Sequence, residues 1–307
     1  MKKVLVTSIS GRVGQPVLRT LHSLNHNDLI IYGADANCME AGMHLCKQVF
    51  KIPKGSDPNY ADELLKVCIR ENIDLVLPTH DTEVFAISRN MGMFENIEIF
   101  ISPVETIEIC FDKYLTFEFC LKHDIPFAEA YLPSQYNGEF DDVIVKLRRG
   151  FAWQGIERNP TNIKSFSDEY IVQRFYKGME VSCPFYVDKY GVVIDFITII
   201  EKYDANNRVC IVTHEFREVL KPIVERLAKY LKIKGVLEIE CIIDSEGKPH
   251  LIELNARFSN TTGVRSAFGF KDITWAIEEY IYGISPTKLQ IMEGHSVRLF
   301  QDLIFVN

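Results

Sequence analysis

Residues Gly235–Arg257, GVLEIECIIDSEGKPHLIELNAR, decide how the rest of the chain is read. Two apolar, β-branched runs flank Asp244-Ser245-Glu246-Gly247-Lys248-Pro249, a cluster of turn formers with a glycine for a left-handed position. That pattern predicts a β-hairpin. With the turn centred between Glu246 and Gly247, Asp244 faces Pro249, Ile242 faces Leu251, Glu240 faces Glu253 and Glu238 faces Asn255. Side chains alternate along a strand, so Glu238, Glu240, Glu253, Asn255 and Arg257 share one face. Ile239, Cys241, Ile243, Ile252 and Leu254 share the other, a core face. Carboxylates directly opposite one another destabilise a sheet. Two readings relieve this: a divalent cation such as Mg2+, which takes one or two carboxylates and leaves further positions to phosphates, or a solvated outer face with glutamates in water.

The 307 residues are enough for two or three domains or subdomains with a sizeable core. Hydrophobic content of 47% with 25% charged residues describes a globular protein. A net charge of -8 argues against a nucleic-acid partner, whose phosphates want a basic face. The start, MKKVLVTSISGRVG, makes a poor signal peptide. With no run of about 18 apolar residues, no membrane span is expected. Eight cysteines without a C-x-x-C pair point to reduced core thiols in a cytoplasmic protein rather than to disulfides or zinc.

Read from the N-terminus, Lys3–Thr7 is an apolar strand, Ser8–Gly14 a turn, and Val17, Leu18, Leu21 and Leu24 lie at helical spacing. Gly11, Gly14 and Asp35, after a second strand at Leu29–Gly33, partly resemble a dinucleotide fingerprint, but Ile9 stands where the first glycine belongs. An NAD-linked oxidoreductase is therefore a minor alternative. Further strands at Val49–Ile52, Asp74–Leu77 and Glu98–Ile101 alternate with helices at Asn59–Arg70 and from Thr82 to Arg89, predicting a parallel sheet. Ligands gather at the carboxyl ends of such strands. Thr79, His80, Asp81 and Glu83 are thus candidate substrate contacts, although Asp81-Thr82 equally suits a helix cap.

Past Phe111 the pattern changes. Asp112 caps a helix that ends at His123, and Val143–Leu147 is a strand carrying Lys146. The loop Arg148–Gly155 that follows suits polyphosphate through its backbone N–H groups, or is an exposed turn with solvated cations. Tyr170–Tyr176, Val181–Val187, Val192–Ile200 and Arg208–Val212 read as strands. Glu215–Leu231 has a helical pattern, and Pro222 inside it predicts a helix start near that residue. After the hairpin come a small polar segment, Phe258–Gly269, a helix at Asp272–Tyr282 and a last strand near Val297–Leu303.

Taken together these segments resemble the ATP-grasp superfamily, with an N-terminal half similar to its carbamoyl-phosphate-synthase-like branch. The resemblance covers nearly the whole chain and rests on the order and spacing of several motifs, of which Glu253-Leu254-Asn255-Ala256-Arg257, an E-x-N-x-R, is the clearest. It implies a mixed α/β and α+β architecture: a Rossmann-like domain over residues 1–110, a lid subdomain over 111–172, and an antiparallel nucleotide and metal subdomain over 173–307. It implies phosphate contacts at Lys113, Lys146 and Arg257, with Arg257 and Lys113 catalytic. A glycine-rich phosphate loop would hold Gly150 and Gly155, a hinge strand Gln173, Phe175 and Tyr176 would meet adenine, and Glu180 would bind ribose. Glu240, Glu253 and Asn255 would be the magnesium ligands. Phe151, Trp153 and Gln154 depart from the small residues usual in that loop, and Arg174 and Ala256 from the usual acid and proline.

The chemistry implied is that of an EC 6.3 ligase: ATP, with Mg2+ or Mn2+, phosphorylates a small-molecule carboxylate, and an amine attacks the acyl phosphate. Asn260, Thr262 and Arg265, after the metal strand, would bind the substrate carboxylate or be satisfied locally; Glu238 would support the metal site or be solvated. Other readings are a single-unit enzyme acting on bicarbonate or carbamate and an inert ATP-binding module. The resemblance also makes a homodimer an expectation.

Overall fold

The structure, a computed structural model, describes residues 1–24, 26–37, 42–150, 155–203 and 208–298. Strands and helices alternate first: β1 (Lys2–Thr7), α1 (Gly14–Ser23), β2 (Leu29–Asp35), β3 (Val49–Lys51), α2 (Tyr60–Glu71), β4 (Leu75–Leu77), α3 (Asp81–Ser88) and β5 (Glu98–Ile99). The strands pair in parallel in the order β3-β2-β1-β4-β5, so the winding reverses between β1 and β4. β4 is buried along its whole length, which is why its sequence is apolar without alternation. A helix α4 (Val104–Phe111) that the sequence reading lacks comes next. Pro103, read there as a strand stop, also serves as the residue before this short helix.

α5 (Lys113–Lys122) begins at Asp112, whose Oδ1 accepts the backbone N–H groups of Tyr114 at 3.0 Å and Leu115 at 3.3 Å. β6 (Ala130–Tyr131), β7 (Val143–Leu147), β8 (Glu157–Arg158) and β9 (Tyr170–Arg174) form an antiparallel sheet ordered β6-β9-β7-β8. Its own small core contains Tyr136, Val143, Val145 and Val172.

A third, antiparallel sheet takes β10 (Met179–Val187), β11 (Val193–Phe196), β12 (Thr198–Tyr203), β13 (Arg208–Thr213), β14 (Gly235–Ile243), β15 (Pro249–Asn255) and β16 (Gly294–Val297). The order is β15-β14-β10-β12-β13-β16, with β11 beside β10. Of three helices, α6 (Arg217–Tyr230) and α8 (Asp272–Ile277) pack on it, and α7 (Thr262–Ala267) packs against α1 and α8. β16 is the last strand among the described residues; the strand expected near Val297–Leu303 lies almost entirely in residues 299–307, outside those described. α6 also differs, running through Pro222 instead of starting near it. Proline removes the bond to the Glu218 carbonyl, but both residues lie on the exposed face where water satisfies it. Meanwhile Phe216, Leu220, Ile223, Val224 and Leu227 keep both halves of the helix in the core.

One cluster joins Val4, Val6, Leu75 and Leu77 of the parallel sheet to Tyr186, Ile199, Val212, Val236, Phe258 and Trp275. The parallel and seven-stranded sheets therefore share a core and hold each other in place. Gly235 marks the junction: its φ is +77°, and a Cβ there would come 2.3 Å from the Phe100 ring. No helix among the described residues is long and apolar enough to cross a membrane. The seven cysteines among the described residues are free thiols.

β14 and β15 form the expected hairpin with one change of register. The tip is tighter than anticipated: Asp244 N–H donates to the Lys248 carbonyl at 3.0 Å, and Gly247 takes a φ of +79°. Near the tip Ile243 pairs with Pro249 and Cys241 with Leu251, whereas farther on Glu240 pairs with Glu253 and Glu238 with Asn255. A β-bulge between these two stretches, at Ile252, reconciles them. Hence Leu251 rather than Ile252 joins Ile239, Cys241, Ile243 and Leu254 in the core.

Candidate functional site

The acidic face of the hairpin is the floor of a site to which four other segments contribute. Asn255 Nδ2 donates to Glu240 Oε1 at 3.1 Å, so the paired strands hold an amide and a carboxylate together. The Lys113 ammonium, at the first position of α5, lies 3.1 Å from Glu253 Oε1 and donates to the Gly150 carbonyl at 2.8 Å. Lys146, from β7, donates to the carbonyl of the bulge residue Ile252 at 3.1 Å. Arg257 Nη2 donates to Asn255 Oδ1 at 3.0 Å, and its Nε donates to Asp81 Oδ1 at 2.7 Å.

These groups perturb one another. Burial first, then repulsion from Glu253, Glu238 and Glu180, raises the Glu240 carboxyl well above the usual carboxylate range. Burial and the Lys113 ammonium push Lys146 down to about 8, against the pull of Glu253 and Glu240. Burial would raise Asp81, but Arg257, His80 and Lys113 outweigh it and hold Asp81 below its ordinary range.

Glu238 is not solvated. It is buried, accepting the Ser182 hydroxyl at 2.7 Å and the Ser259 hydroxyl at 2.8 Å, with Arg265 Nη1 at 3.8 Å. Glu180, Ser182, Glu201, Glu238, Glu240 and Asn260 line a small cavity beside the hairpin, and burial and Glu201 raise the Glu180 carboxyl. Gln173, on β9, faces the same way as Lys146 by register, since Gln173 pairs with Ile144 and Lys146 with Ile171. It is buried, and its Nε2 has no hydrogen-bond partner among the described residues. Tyr176 stacks on His250 of β15 with ring centroids 3.6 Å apart. Phe175 does not join it; the Arg158 guanidinium covers its ring at 4.0 Å. Gly155 takes a φ of +65°, and the intervening Phe151, Trp153 and Gln154 lie outside the described residues.

Other expected contacts are used for structure. Arg148 and Arg149 both turn back to Asp112, Arg148 through Nε at 3.0 Å and Nη2 at 2.8 Å, and Arg149 through Nε at 3.2 Å. His80 caps α3, its Nδ1 accepting the Thr82 N–H at 3.3 Å. Glu83 is buried at the end of the parallel sheet, accepting the Thr7 hydroxyl at 2.5 Å, and burial pushes its carboxyl up to about 7. Asn260 accepts Arg208 Nη2 at 2.8 Å through Oδ1. Arg265 has no exposed surface; its Nε donates to Asp272 at 2.9 Å, so it is not a substrate contact. Asp35 accepts Ser10 N–H at 2.9 Å and its hydroxyl at 2.8 Å. A Cβ on Gly14 would come 2.2 Å from the Ser8 carbonyl. The first βα turn is therefore folded on itself, which speaks against the dinucleotide alternative.

Among the described residues no three His, Cys, Asp or Glu side chains are grouped to hold a metal unaided. Glu240, Glu253 and Asn255 instead offer two carboxylates and an amide, a set that fits Mg2+ when phosphates complete its shell. The two buried ammonium groups and the orphaned Gln173 donor fit an anionic ligand with hydrogen-bond acceptors.

Comparison with known proteins identifies both halves of the chain. Residues 4–102 match the model of the PylC-like N-terminal domain and residues 110–261 that of the ATP-grasp domain. No curated protein matches the sequence. Among solved structures, the biotin carboxylase domain of Hydrogenobacter thermophilus 2-oxoglutarate carboxylase, a dimer in complex with MgADP, ADP and bicarbonate, is 18% identical with a TM-score of 0.74, covering 96% of this chain and 73% of that one. An L-amino acid ligase from Bacillus licheniformis is 14% identical, with a TM-score of 0.71 and coverage of 91% and 74%. N5-carboxyaminoimidazole ribonucleotide synthetase from Thermotoga maritima is 16% identical, with a TM-score of 0.72 and coverage of 95% and 78%. The chain thus belongs to the ATP-grasp superfamily and carries a PylC-like domain ahead of its ATP-grasp domain.

Proposed function

We propose that this protein is an ATP-dependent ligase that activates a small-molecule carboxylate as its acyl phosphate and joins it to an amine, releasing ADP and phosphate. The observation that carries this is the meeting of Lys113, Lys146 and Arg257 with Glu240, Glu253 and Asn255 at one end of a single hairpin. The similarity in fold to an L-amino acid ligase and a ribonucleotide synthetase supports the reaction class. The MgADP in the carboxylase structure supports the nucleotide and metal.

In this reading Glu240, Glu253 and Asn255 hold Mg2+, which when bound neutralises charge on the nucleotide phosphates. Lys113 and Lys146 bind phosphate oxygens from two sides, and their burial strengthens that attraction. Arg257 orients the phosphoryl group toward the carboxylate acceptor. Gln173 and Tyr176 hold the base and Glu180 the ribose, while Phe175 supports the strand from its far side. Residues 1–110 present the substrate, 111–172 cover the nucleotide and exclude water from the acyl phosphate, and 173–307 supply the metal floor. A homodimer is the assembly proposed, by analogy with the dimeric carboxylase domain.

A coupled ADP-release assay over a panel of carboxylic acids and amines tests the reading. Mg-dependent ADP release that needs both a carboxylate and an amine is expected. Tight Mg-ATP binding without turnover across a broad panel would leave only a nucleotide-binding module.

A further inference from the structure

Asp81 stands at the carboxyl end of β4, beside the point where the parallel sheet reverses between β1 and β4. Crevices at such reversal points are where ligands of open α/β sheets gather. From there Asp81 reaches across to Arg257, two residues past the end of β15 and 176 positions later in the chain, and accepts its Nε–H at 2.7 Å. Both side chains are largely shielded from solvent, at 21% and 14% exposure, so solvent screens this pair less than an open surface contact.

The remaining contacts of Arg257 define what the pair does. Nη1 donates to the Phe258 carbonyl at 3.1 Å and Nη2 to Asn255 Oδ1 at 3.0 Å. A guanidinium has five N–H donors. With Nε and one donor on each Nη engaged, one N–H on each Nη is left without an acceptor among the described residues. Such a pair, fixed in plane, is matched to two oxygens of one phosphoryl group. Phe258 prevents the backbone from drifting, because its buried ring stacks on Phe100 at 4.8 Å in the shared core. Among the described residues, Asp81 is the hydrogen-bond partner that the parallel-sheet domain gives Arg257.

We propose that Asp81 is the positioning residue for Arg257, fixing the guanidinium so that its outward donors meet the terminal phosphate of a nucleoside triphosphate and joining the strand-end crevice to the phosphoryl site. The inference rests on the nucleotide reading of the hairpin. It extends that reading by giving the parallel-sheet domain a part in recognising the transferred group, without any contact to the nucleotide.

Titration calorimetry of the full chain with Mg-ADP and with Mg-AMPPNP, a non-hydrolysable triphosphate, tests it without knowledge of the substrate. The wild type is expected to prefer AMPPNP. Asp81→Asn, which keeps the side-chain shape, should reduce that preference about tenfold while leaving ADP affinity within about threefold, a shift of about 1.4 kcal/mol. Arg257→Lys should do the same, and the double variant should be no worse than Arg257→Lys alone. Asp81→Glu, which keeps the charge but displaces it, should fall between wild type and Asp81→Asn, and it serves as the test if Asp81→Asn does not fold by circular dichroism. An unchanged preference, an equal loss for both nucleotides, or additive losses in the double variant would overturn the proposal. So would a wild type that binds both nucleotides equally, with the nucleotide reading left standing. A wild type that binds neither overturns both.

Discussion

The Lys113 ammonium and the Glu253 carboxylate, 140 positions apart in the chain, lie 3.1 Å from each other, so a proposed phosphate ligand and a proposed metal ligand hold one another in place. Glu253→Gln keeps the volume and one carbonyl oxygen but removes the negative charge that pairs with buried Lys113 and attracts the cation. ADP release at fixed Mg2+ is expected to fall about 100-fold, and the Mg2+ concentration needed for half-maximal rate to rise by a similar factor. Far-ultraviolet circular dichroism should be unchanged. Wild-type dependence on Mg2+ in this variant would remove Glu253 from the metal site.

Gln173 gives opposite signs for stability and binding. Its buried Nε2 lacks a partner, which costs about 1–3 kcal/mol in the free protein. Gln173→Leu removes that penalty, so urea unfolding should show a chain no less stable than wild type. Affinity for ATP should drop about tenfold, because the donor that waits for the ligand is gone. A destabilised variant with normal ATP affinity would show that Gln173 serves the fold alone.

Glu83 predicts a pH dependence of stability. Burial raises its carboxyl from 4.5 to about 7 in the folded protein. The folded state therefore binds the proton more tightly than the unfolded chain. Its contribution is fully present below about pH 4.5 and is lost as pH rises through 7, a change of about 3 kcal/mol. Glu83→Gln should lack this component, so its melting temperature relative to wild type should climb between pH 5 and pH 8. A constant difference across that range would count against a raised Glu83.

Arg265 and Asp272 form an ion pair with no exposed surface. Breaking one side of such a pair costs about 3–5 kcal/mol. Asp272→Asn should lower unfolding stability by roughly that amount while nucleotide affinity of the folded fraction stays normal. Loss of substrate dependence at full stability would return Arg265 to the substrate site.

Much of this molecule can be read directly from the chain because its signals are local. The strand–helix alternation before Phe111, the Asp112 cap and the i, i+2 spacing of Glu253 and Asn255 follow from periodicity and turn chemistry within short windows. Glu240 does lie opposite Glu253, but only because the bulge at Ile252 makes up for a turn one residue shorter than the count assumed. What stayed hidden depends on distant partners. Arg265 carries the same sequence signal as a ligand arginine, and only the location of Asp272 under it decides its role. Arg148 and Arg149 look like phosphate donors until Asp112 is seen to accept from both. Glu83, taken for a substrate contact, follows a strand end as Asp81 does, but the first turn of α3 directs one into the sheet and the other toward Arg257. The proline in α6 misled because helix propensity was weighed without the buried residues on either side of it.

The bulge at Ile252 makes the two ends of the hairpin mechanically independent in phase. The tip follows its three-residue loop, Ser245–Gly247, while the far end keeps the carboxylates and the amide on the cleft side, and one extra residue absorbs the mismatch. Because a strand alternates every residue, a β15 that kept Ile252 in regular pairing would be turned over beyond that point, with Glu253 and Asn255 in the apolar interior and Leu254 in the cleft. The short turn and the unpaired residue thus offset each other, and a hairpin of this kind can move one residue between its tip and its bulge while the carboxylates go on facing the cleft.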